Sequence, residues 1–333
     1  MKLKEIGEFG FINRIAPLGA IRTEGVVKGI GDDCAVIDVG ASDYLLLTTD
    51  LLVERVHFLR DWASPEIFGA KALAVNLSDI AACGGLPRDA FISLAIPDGT
   101  DVDWLDGFYR GMADLARRWD VNLLGGDTSG SKVDLMINVA VTGLVPRNEV
   151  LFRHTASPGD VIVITGPLGE SAAGLDILLG AVDLPGHVGH GLVQAHLEPR
   201  PHIDEGRFLA SSGACTAAID VSDGLSSDLG HLCEDSGVGA LVFEDSLPLS
   251  QPLVQAAAAL GKDPLQWVLH GGEDYVLLAA VRHEIAEEIN ARAADRGWSF
   301  LPIGGFIEGR GMELVRRDGT RESFTPRGWD HFG

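Results

Sequence analysis

The chain of 333 residues is long enough for two domains, and a hydrophobic fraction of 46% is sufficient to build buried cores. Its 48 Asp and Glu residues against 26 Lys and Arg residues give a formal net charge of −22, which argues against a nucleic acid or an anionic membrane as a partner. A phosphate-bearing ligand would therefore need divalent cations, or a local concentration of arginines, to reduce charge repulsion.

No apolar run reaches the roughly 18 residues of a membrane-spanning helix, and the N-terminus lacks the apolar segment of a signal peptide. The four cysteines show neither C-x-x-C pairs nor the spacing of a zinc site. We expect reduced thiols and a cytoplasmic location.

Hydrophobic periodicity divides the first half of the chain into helices and strands. Helices are predicted over residues 3–16, from Ser64-Pro65 to a stop at Gly84-Gly85, and over 101–119, the second with Ser as N-cap and Pro at its first position. Extended segments are predicted over residues 26–30, 44–49, 91–96, 121–124 and 135–145. These elements predict one α+β or α/β domain that ends near Pro146.

A second unit begins with a buried strand, a Gly turn and a helix start over residues 159–174. This arrangement can present backbone N–H groups to an anion, but no Gly-Lys-Ser/Thr follows, so it is not a P-loop. Further strands are predicted over residues 216–220 and 300–307 and after the Gly turn of 270–280, with helices after Gly224 and over 284–295. The expected division is an N-terminal domain, residues 1–147, and a C-terminal domain, residues 148–333.

Carboxylates recur where predicted elements end at Gly or small-residue turns. These residues are Asp32, Asp33, Asp50, Asp127, Asp220 and Asp223. A single Asp beside Gly is typical of a turn or a helix cap. The repetition favours a shared site for a hard cation such as Mg²⁺, which proteins hold with a few carboxylates together with substrate phosphates.

Asn76 and Asp79 lie on one face of the predicted apolar helix, because residues three apart are neighbours on a helix surface. A polar pair in such a helix is costly unless it is satisfied. It is either a hydrogen-bonded interior pair or a metal ligand supported by an amide.

Six motifs, taken in order, resemble the thiamine-phosphate kinases. Their superfamily also contains aminoimidazole ribonucleotide synthetase, selenophosphate synthetase and a hydrogenase-maturation dehydratase. The motifs occupy residues 29–35, 48–50, 71–79, 125–127, 220–225 and 271–275. The similarity runs from about residue 4 to the C-terminus, and Gly-Trp-Asp-His-Phe at 328–332 favours the kinase branch.

The resemblance implies a two-domain α+β fold: an N-terminal mixed sheet with helices that forms a barrel across a homodimer axis, and a C-terminal α/β sandwich domain. It implies transfer of the γ-phosphoryl group of ATP to thiamine monophosphate, giving thiamine diphosphate, with the help of several Mg²⁺ ions. No nucleic-acid or membrane partner is expected.

The resemblance also assigns roles to individual residues. The metal positions are Asp33, Thr48, Thr49, Asp50, Asp79, Asp127, Asp220 and Asp223. The nucleotide contacts are Tyr109, Gly126, Asp127, Arg153 and Ser222. The substrate contacts are His57, Glu273 and Trp329. Catalysis is expected to depend most on Asp50, Asp127, Asp220 and Asp223, whereas Asp32 matches no ligand position.

Several of these residues have a second interpretation. Arg153 could be an isolated surface arginine, and His57 a base, a contact to a substrate oxygen or a packing residue. Glu273 could cap a turn, and Trp329 could anchor the C-terminus to the core instead of holding the cationic thiazolium ring. At the level of function, the alternatives are another ATP-using member of the superfamily, such as aminoimidazole ribonucleotide synthetase, or a non-catalytic sensor of nucleotide and Mg²⁺.

Overall fold

The computed structural model describes residues 3–19, 21–180, 184 and 186–328, apart from the side chain of His187. Within these residues the strands form one six-stranded and one seven-stranded sheet, and helices pack on both, which gives a two-domain α+β fold. None of the described helices combines the length and the apolarity that a membrane span requires. Trp329, one of the predicted substrate contacts, lies outside the described residues.

The first sheet is antiparallel except at one edge. Its strands are β1 (Val26–Lys28), β2 (Ala35–Ile37), β3 (Asp43–Val53), β4 (Leu86–Pro97), β5 (Asn122–Ser131) and β6 (Met136–Pro146). They lie in the order β1-β2-β3-β6-β4-β5, and only β4 and β5 are parallel. The helices of this half are α1 (Gly7–Gly19), α2 (Pro65–Ala82) and α3 (Val102–Arg118). The predicted elements are all present.

Three of these strands are longer than the sequence predicts, and one of them is β4, which already begins at Leu86. β3 continues to Val53, so that Thr48, Thr49 and Asp50 lie inside a strand and not at its end. β5 continues to Ser131, so the prediction of a turn over residues 125–129 was wrong. Continuous pairing of β3 with β6, and pairing of β5 with β4 that continues past a register shift at Leu124, hold both segments extended. This long-range pairing overrides the local turn preference of Gly and Asp.

The second sheet lies in the order β13-β12-β9-β11-β7-β10-β8, with only β9 and β12 parallel. Its strands are β7 (Val161–Ile164), β8 (Cys215–Asp220), β9 (Gly239–Phe243), β10 (Leu277–Val281), β11 (Leu301–Ile307), β12 (Gly311–Val315) and β13 (Arg321–Phe324). Its helices are α4 (Glu170–Gly180), α5 (Gly186–Leu197), α6 (Ile203–Ser212), α7 (Leu225–Ser236), α8 (Gln251–Leu260), α9 (Pro264–His270) and α10 (His283–Ala294). The sequence predicted β7, β8, β10, β11, α4, α7 and α10, and did not single out the others.

Helix α2 lies between the two halves. It packs on β3, β4 and β6 of the first sheet, and on α5, α6, β8 and β10 of the other half. From Lys71 to Ala82 every residue except Asp79 is buried. A helix that is apolar around its whole circumference is typical of a buried position. One core therefore continues from the first sheet through α2 to Val163, Leu277 and Ala279 on one face of the second.

Two glycines allow α2 and α3 to touch through their backbones. A Cβ atom at Gly69 would lie 1.8 Å from the carbonyl oxygen of Phe108, and one at Gly111 would lie 1.8 Å from that of Glu66. Any side chain at either position would force the helices apart. Because α2 carries residues of the predicted site, this close approach also determines how that site sits on the first sheet.

We expect Gly111→Ala to lower the free energy of unfolding by about 1–3 kcal/mol, since an added methyl group in a filled contact must displace backbone. Urea unfolding followed by circular dichroism measures the change. Gly99→Ala is the matched control, because its Cβ would meet nothing within 4 Å. Equal stability of the two variants would contradict this account of the α2–α3 contact.

Candidate active site

Three carboxylates from distant parts of the chain converge at one point. Asp33 lies in the loop before β2, Asp79 near the end of α2, and Asp220 at the end of β8, and one ligand atom from each lies within 4.8 Å of the others. The Oδ2 atom of Asp33 is buried and has no hydrogen-bond partner among the described residues. This acid cluster joins the first half of the chain to the second.

Like charges and burial oppose ionisation of the cluster. Burial, followed by the Asp33 carboxylate, raises the pKa of Asp220 to about 8 and that of Asp50 to about 6. Burial, followed by Asp50, Asp220 and Asp33, raises the pKa of Asp79 well above its usual value. These shifts show that Asp50 on β3 belongs to the same electrostatic unit.

Neighbouring polar groups hold the cluster in place. The Thr48 hydroxyl donates a hydrogen bond to Asp79 Oδ2, and the Ser78 hydroxyl donates to Asp220 Oδ2 at 2.6 Å. Asn76 Oδ1 accepts from the backbone N–H of Asp50 at 3.1 Å. The polar pair expected on α2 is thus hydrogen-bonded, with the amide supporting β3 at Asp50 and the Asp79 carboxylate within the cluster.

Arg153 is not an isolated surface residue. Its Nη2 donates to Asp33 Oδ1 at 2.5 Å, and its Nε lies 4.0 Å from Asp32 Oδ1. Burial alone would lower the pKa of the guanidinium, but Asp33 outweighs it and the pKa lies above its usual value. Burial, then Asp33, raises the pKa of Asp32 to about 7, although Arg153 and Lys28 lower it. Asp32 therefore lies behind the cluster, against Arg153.

The loop after β8 is joined to the segment before β10. The backbone N–H of Glu273 donates to the carbonyl of Ser222 at 2.7 Å, and that of Tyr275 donates to the carbonyl of Val221 at 2.8 Å. The backbone N–H of Asp223 donates to Asp228 Oδ2 at 3.2 Å. Ser222 and Asp223, predicted for nucleotide and metal, are thereby placed next to Glu273, predicted for substrate.

Glu273 is paired with a lysine that the sequence had not singled out as functional. Lys71 Nζ, on α2, donates to Glu273 Oε2 at 2.9 Å, and His196 Nδ1 lies 3.1 Å from the same oxygen. His57 is near enough to lower the pKa of Glu273, and its Nδ1 accepts a hydrogen bond from the backbone N–H of Val53 at 2.9 Å. Lys71 opens one of the six motifs, which was the signal available in the sequence.

Some predicted residues lie apart from the cluster within this one chain. Asp127 is exposed on edge strand β5, in a register row that passes through Ser93 and Asn138 to Leu51 on β3. Asp127 is therefore three strand spacings, about 14 Å, from Leu51 on β3. Gly126 adjoins Asp127 at the same edge. A Cβ at position 126 would lie 1.6 Å from the carbonyl oxygen of Ile92, so only glycine fits there.

Two further predicted residues also face away. Tyr109 is exposed on α3, the helix that packs beside β5. Thr49 points to the opposite face of β3 from Thr48, and its hydroxyl donates to the carbonyl of Val139 at 3.2 Å. Successive side chains of a strand alternate between faces, so both hydroxyls of the Thr-Thr pair cannot reach Asp79.

The Gly turn before α4 is already occupied by an internal carboxylate. Asp274 Oδ2 accepts from the backbone N–H of Gly169 at 2.7 Å, and its Oδ1 lies 3.4 Å from that of Ser171. Burial raises the pKa of Asp274 to about 8, although these bonds lower it. The backbone donors that the sequence offered as an anion site thus stabilise the 271–275 segment.

The two halves of the chain match two family models. Residues 31–145 match the N-terminal domain of AIR synthase related proteins, and residues 157–317 match their C-terminal domain. The thiamine-monophosphate kinase of Salmonella typhimurium is 38% identical over 328 residues, covering 98% of both chains, and that of Aquifex aeolicus is 37% identical over 335 residues, covering 100% of both. The chain belongs to the thiamine-monophosphate kinase family.

A solved structure of this kinase family has the same fold. AaThiL complexed with AMPPCP and TMP superposes with a TM-score of 0.87 at 36% identity, covering 99% of both chains. The match covers 99% of both chains, so it includes both sheets.

The donor set of the acid cluster fits divalent cations. Carboxylate and hydroxyl oxygens are the ligands that Mg²⁺ prefers, and the orphaned, buried Oδ2 of Asp33 needs a positive partner. Carboxylates whose pKa values are raised by one another gain most from a bound cation. Among the described residues, Asp33, Asp79 and Asp220 would therefore hold such a cation.

At a pH above 8, where Asp220 with its pKa of about 8 is ionised, we expect Asp220→Asn to raise the melting temperature in EDTA, because it removes one of the mutually repelling buried charges. Each kcal/mol of relieved repulsion corresponds to about 2–4 °C. The same variant should lose most of the stabilisation that wild type gains from millimolar Mg²⁺. Differential scanning fluorimetry with and without Mg²⁺ measures both effects.

Asp114→Asn is the control, since it removes the same charge from an exposed ion pair with Arg117. An undiminished Mg²⁺ effect in Asp220→Asn would be evidence against a cation site at the cluster.

Proposed function

We propose that this protein is a phosphotransferase that transfers the γ-phosphoryl group of ATP to thiamine monophosphate, giving thiamine diphosphate and ADP. The observation that carries the proposal is the full-length match to a ThiL protein in complex with AMPPCP and TMP, together with the acid cluster. In the reaction, an oxygen of the acceptor phosphate forms a bond to the γ-phosphorus while the bond to the β–γ bridging oxygen breaks.

The metal-binding roles belong to this proposal. Mg²⁺ bound at the cluster would neutralise the phosphate charge that two anionic reactants bring together. Asp33, Asp79 and Asp220 would provide the central ligands, with Asp50 beside them and Asp223 on the adjacent loop. The Thr48 hydroxyl would orient Asp79, as it does in the structure.

The remaining roles concern the nucleotide and the acceptor. Arg153 would hold the Asp33 carboxylate in place and offer further N–H donors to the nucleotide phosphates. The acceptor phosphate is anionic near neutral pH and needs no strong base, so His57 would bind and not deprotonate. Glu273 would face the positive thiazolium ring, and Trp329 stays a predicted contact.

The test is a product assay with ATP and Mg²⁺ and three acceptors: thiamine monophosphate, unphosphorylated thiamine and formylglycinamidine ribonucleotide. We expect thiamine diphosphate from the first acceptor alone. Turnover of formylglycinamidine ribonucleotide would assign the protein to the synthetase branch, and nucleotide binding without turnover of any acceptor would make it a sensor.

In the same assay Asp50→Asn should reduce kcat by roughly two or more orders of magnitude, because it removes charge from the point where the phosphoryl group is transferred. The fold should be retained, since Asn76 bonds the backbone at position 50 and not its side chain. Asp114→Asn serves again as the control, and near-normal turnover of Asp50→Asn would contradict the assignment.

We also propose that the protein is a homodimer that associates through its N-terminal domain, residues 1–147, with residues 148–333 forming the second domain. The sheet face opposite α2 is apolar and exposed at Leu47, Leu51, Phe91 and Leu124, and β5 is an unpaired edge. Such a face and edge are usually covered by a partner. Association there would account for the position of Thr49, Tyr109, Gly126 and Asp127, apart from the acid cluster of their own chain.

A cytoplasmic location stays a prediction.

Leu51→Glu should convert the dimer to a monomer, because a carboxylate would be buried at the centre of the interface. Multi-angle light scattering at micromolar concentration reports the mass. Val254→Glu, which adds the same charge to an exposed apolar position on α8, should leave the dimer intact. A wild-type monomer would refute the proposed association.

A further inference from the structure

Lys71 is a buried lysine on helix α2. It is 2% exposed, and its Nζ donates to the carbonyl of His196 on α5 at 2.8 Å and to Glu273 Oε2 at 2.9 Å. A buried lysine needs such partners to remain charged. Glu273 is therefore the ionic partner of Lys71.

Backbone and side-chain contacts together fix the orientation of Glu273. Its backbone has a left-handed φ of 61°, held by the hydrogen bond from its N–H to the carbonyl of Ser222. Its Oε2 is occupied by Lys71, with His196 Nδ1 3.1 Å away, while the side chain as a whole is 21% exposed. One oxygen of the carboxylate is thus fixed by Lys71, while part of the side chain remains accessible.

The surroundings favour an ionised Glu273. Burial alone would raise its pKa, but Lys71, then His196 and His57, lower it below the usual value. Burial and then Lys71 lower the pKa of His196 to about 4, so His196 is neutral near pH 7, and its Nδ1 is hydrogen-bonded with the Ser171 hydroxyl at 3.1 Å. Lys71 provides the positive charge that balances the carboxylate.

We propose that Lys71 is a positioning residue of the acceptor site: it holds the Glu273 carboxylate charged and fixed beside His57, where that carboxylate selects an acceptor with a positively charged ring. This inference rests on the proposed function and specifies how the same site distinguishes its substrate. The nucleotide side is built by other residues, around Asp33 and Arg153, and should be unaffected.

A purely structural role is the competing explanation, because Lys71 also ties α2 to α5 and to the 271–275 segment. Removing one partner of a buried ion pair destabilises a protein, whereas replacing both partners by neutral groups often does not. Stability and substrate selection can therefore be separated by comparing single and double variants.

The experiment uses Lys71→Met, Lys71→Gln and the double variant Lys71→Met/Glu273→Gln. For each, KM is measured for ATP, for thiamine monophosphate and for the isosteric analogue whose thiazolium nitrogen is replaced by carbon, which is uncharged. The melting temperature is recorded on the same preparations. Lys262→Met is the matched control, because it removes the same charge from an exposed pair with Asp176.

We expect Lys71→Met to raise KM for thiamine monophosphate roughly ten- to hundredfold, the range for a lost charged hydrogen bond, with KM for ATP changed less than about threefold. Lys71→Met should also lose the preference for the cationic over the neutral acceptor. Lys71→Gln, which retains an N–H donor but no charge, should lose that preference to the same extent. The double variant should recover melting temperature but not that preference.

Unchanged preference for the cationic acceptor in Lys71→Gln would overturn the inference, as would equal increases of both KM values. If the double variant recovers both the melting temperature and the preference for the cationic acceptor, Lys71 has only a structural role. If wild type forms no thiamine diphosphate, the proposed function fails; if wild type is active and the variants select as it does, only the role of Lys71 fails.

Discussion

The burial of helix α2 between two sheets is the constraint on which the rest of this protein depends. A buried polar group without a partner costs about 1–3 kcal/mol, so every polar side chain of α2 must be satisfied by the element that it faces. Asn76 bonds β3, Ser78 bonds Asp220 at the end of β8, and Lys71 bonds Glu273. The contacts that join the two halves are therefore also the contacts that build the site.

The acid cluster shows what this arrangement costs and what it makes possible. Asp33, Asp79 and Asp220 come from three separate elements, and burial and mutual repulsion raise the pKa values of the last two. Arg153 offsets part of this repulsion, since it bonds Asp33 and lowers the pKa of Asp220. Buried carboxylates that repel one another oppose folding, so the large core around α2 must supply the stability that the cluster removes.

Backbone conformation determines the position of the 271–275 segment, which carries the proposed acceptor contact Glu273. Glu273 and Tyr275 both have left-handed φ values, which non-glycine residues adopt only when the surroundings hold them. Their N–H groups bond to the carbonyls of Ser222 and Val221, and Asp274 binds the N-terminus of α4. The strained segment is thus fixed on both sides, and Glu273 is presented to Lys71 and His57 in one orientation.

The sequence by itself determined the family, the α+β class, most of the elements near the site and the carboxylates that could bind cations, because motif order and hydrophobic period are local properties. Only the tertiary structure decided that Thr48 and not Thr49 faces Asp79, that Asp127 lies on an edge strand, and that Lys71 pairs with Glu273, 202 positions away. The physical reason is that strand faces, strand ends and buried ion pairs depend on hydrogen bonds and burial between distant segments, which local sequence preferences do not specify.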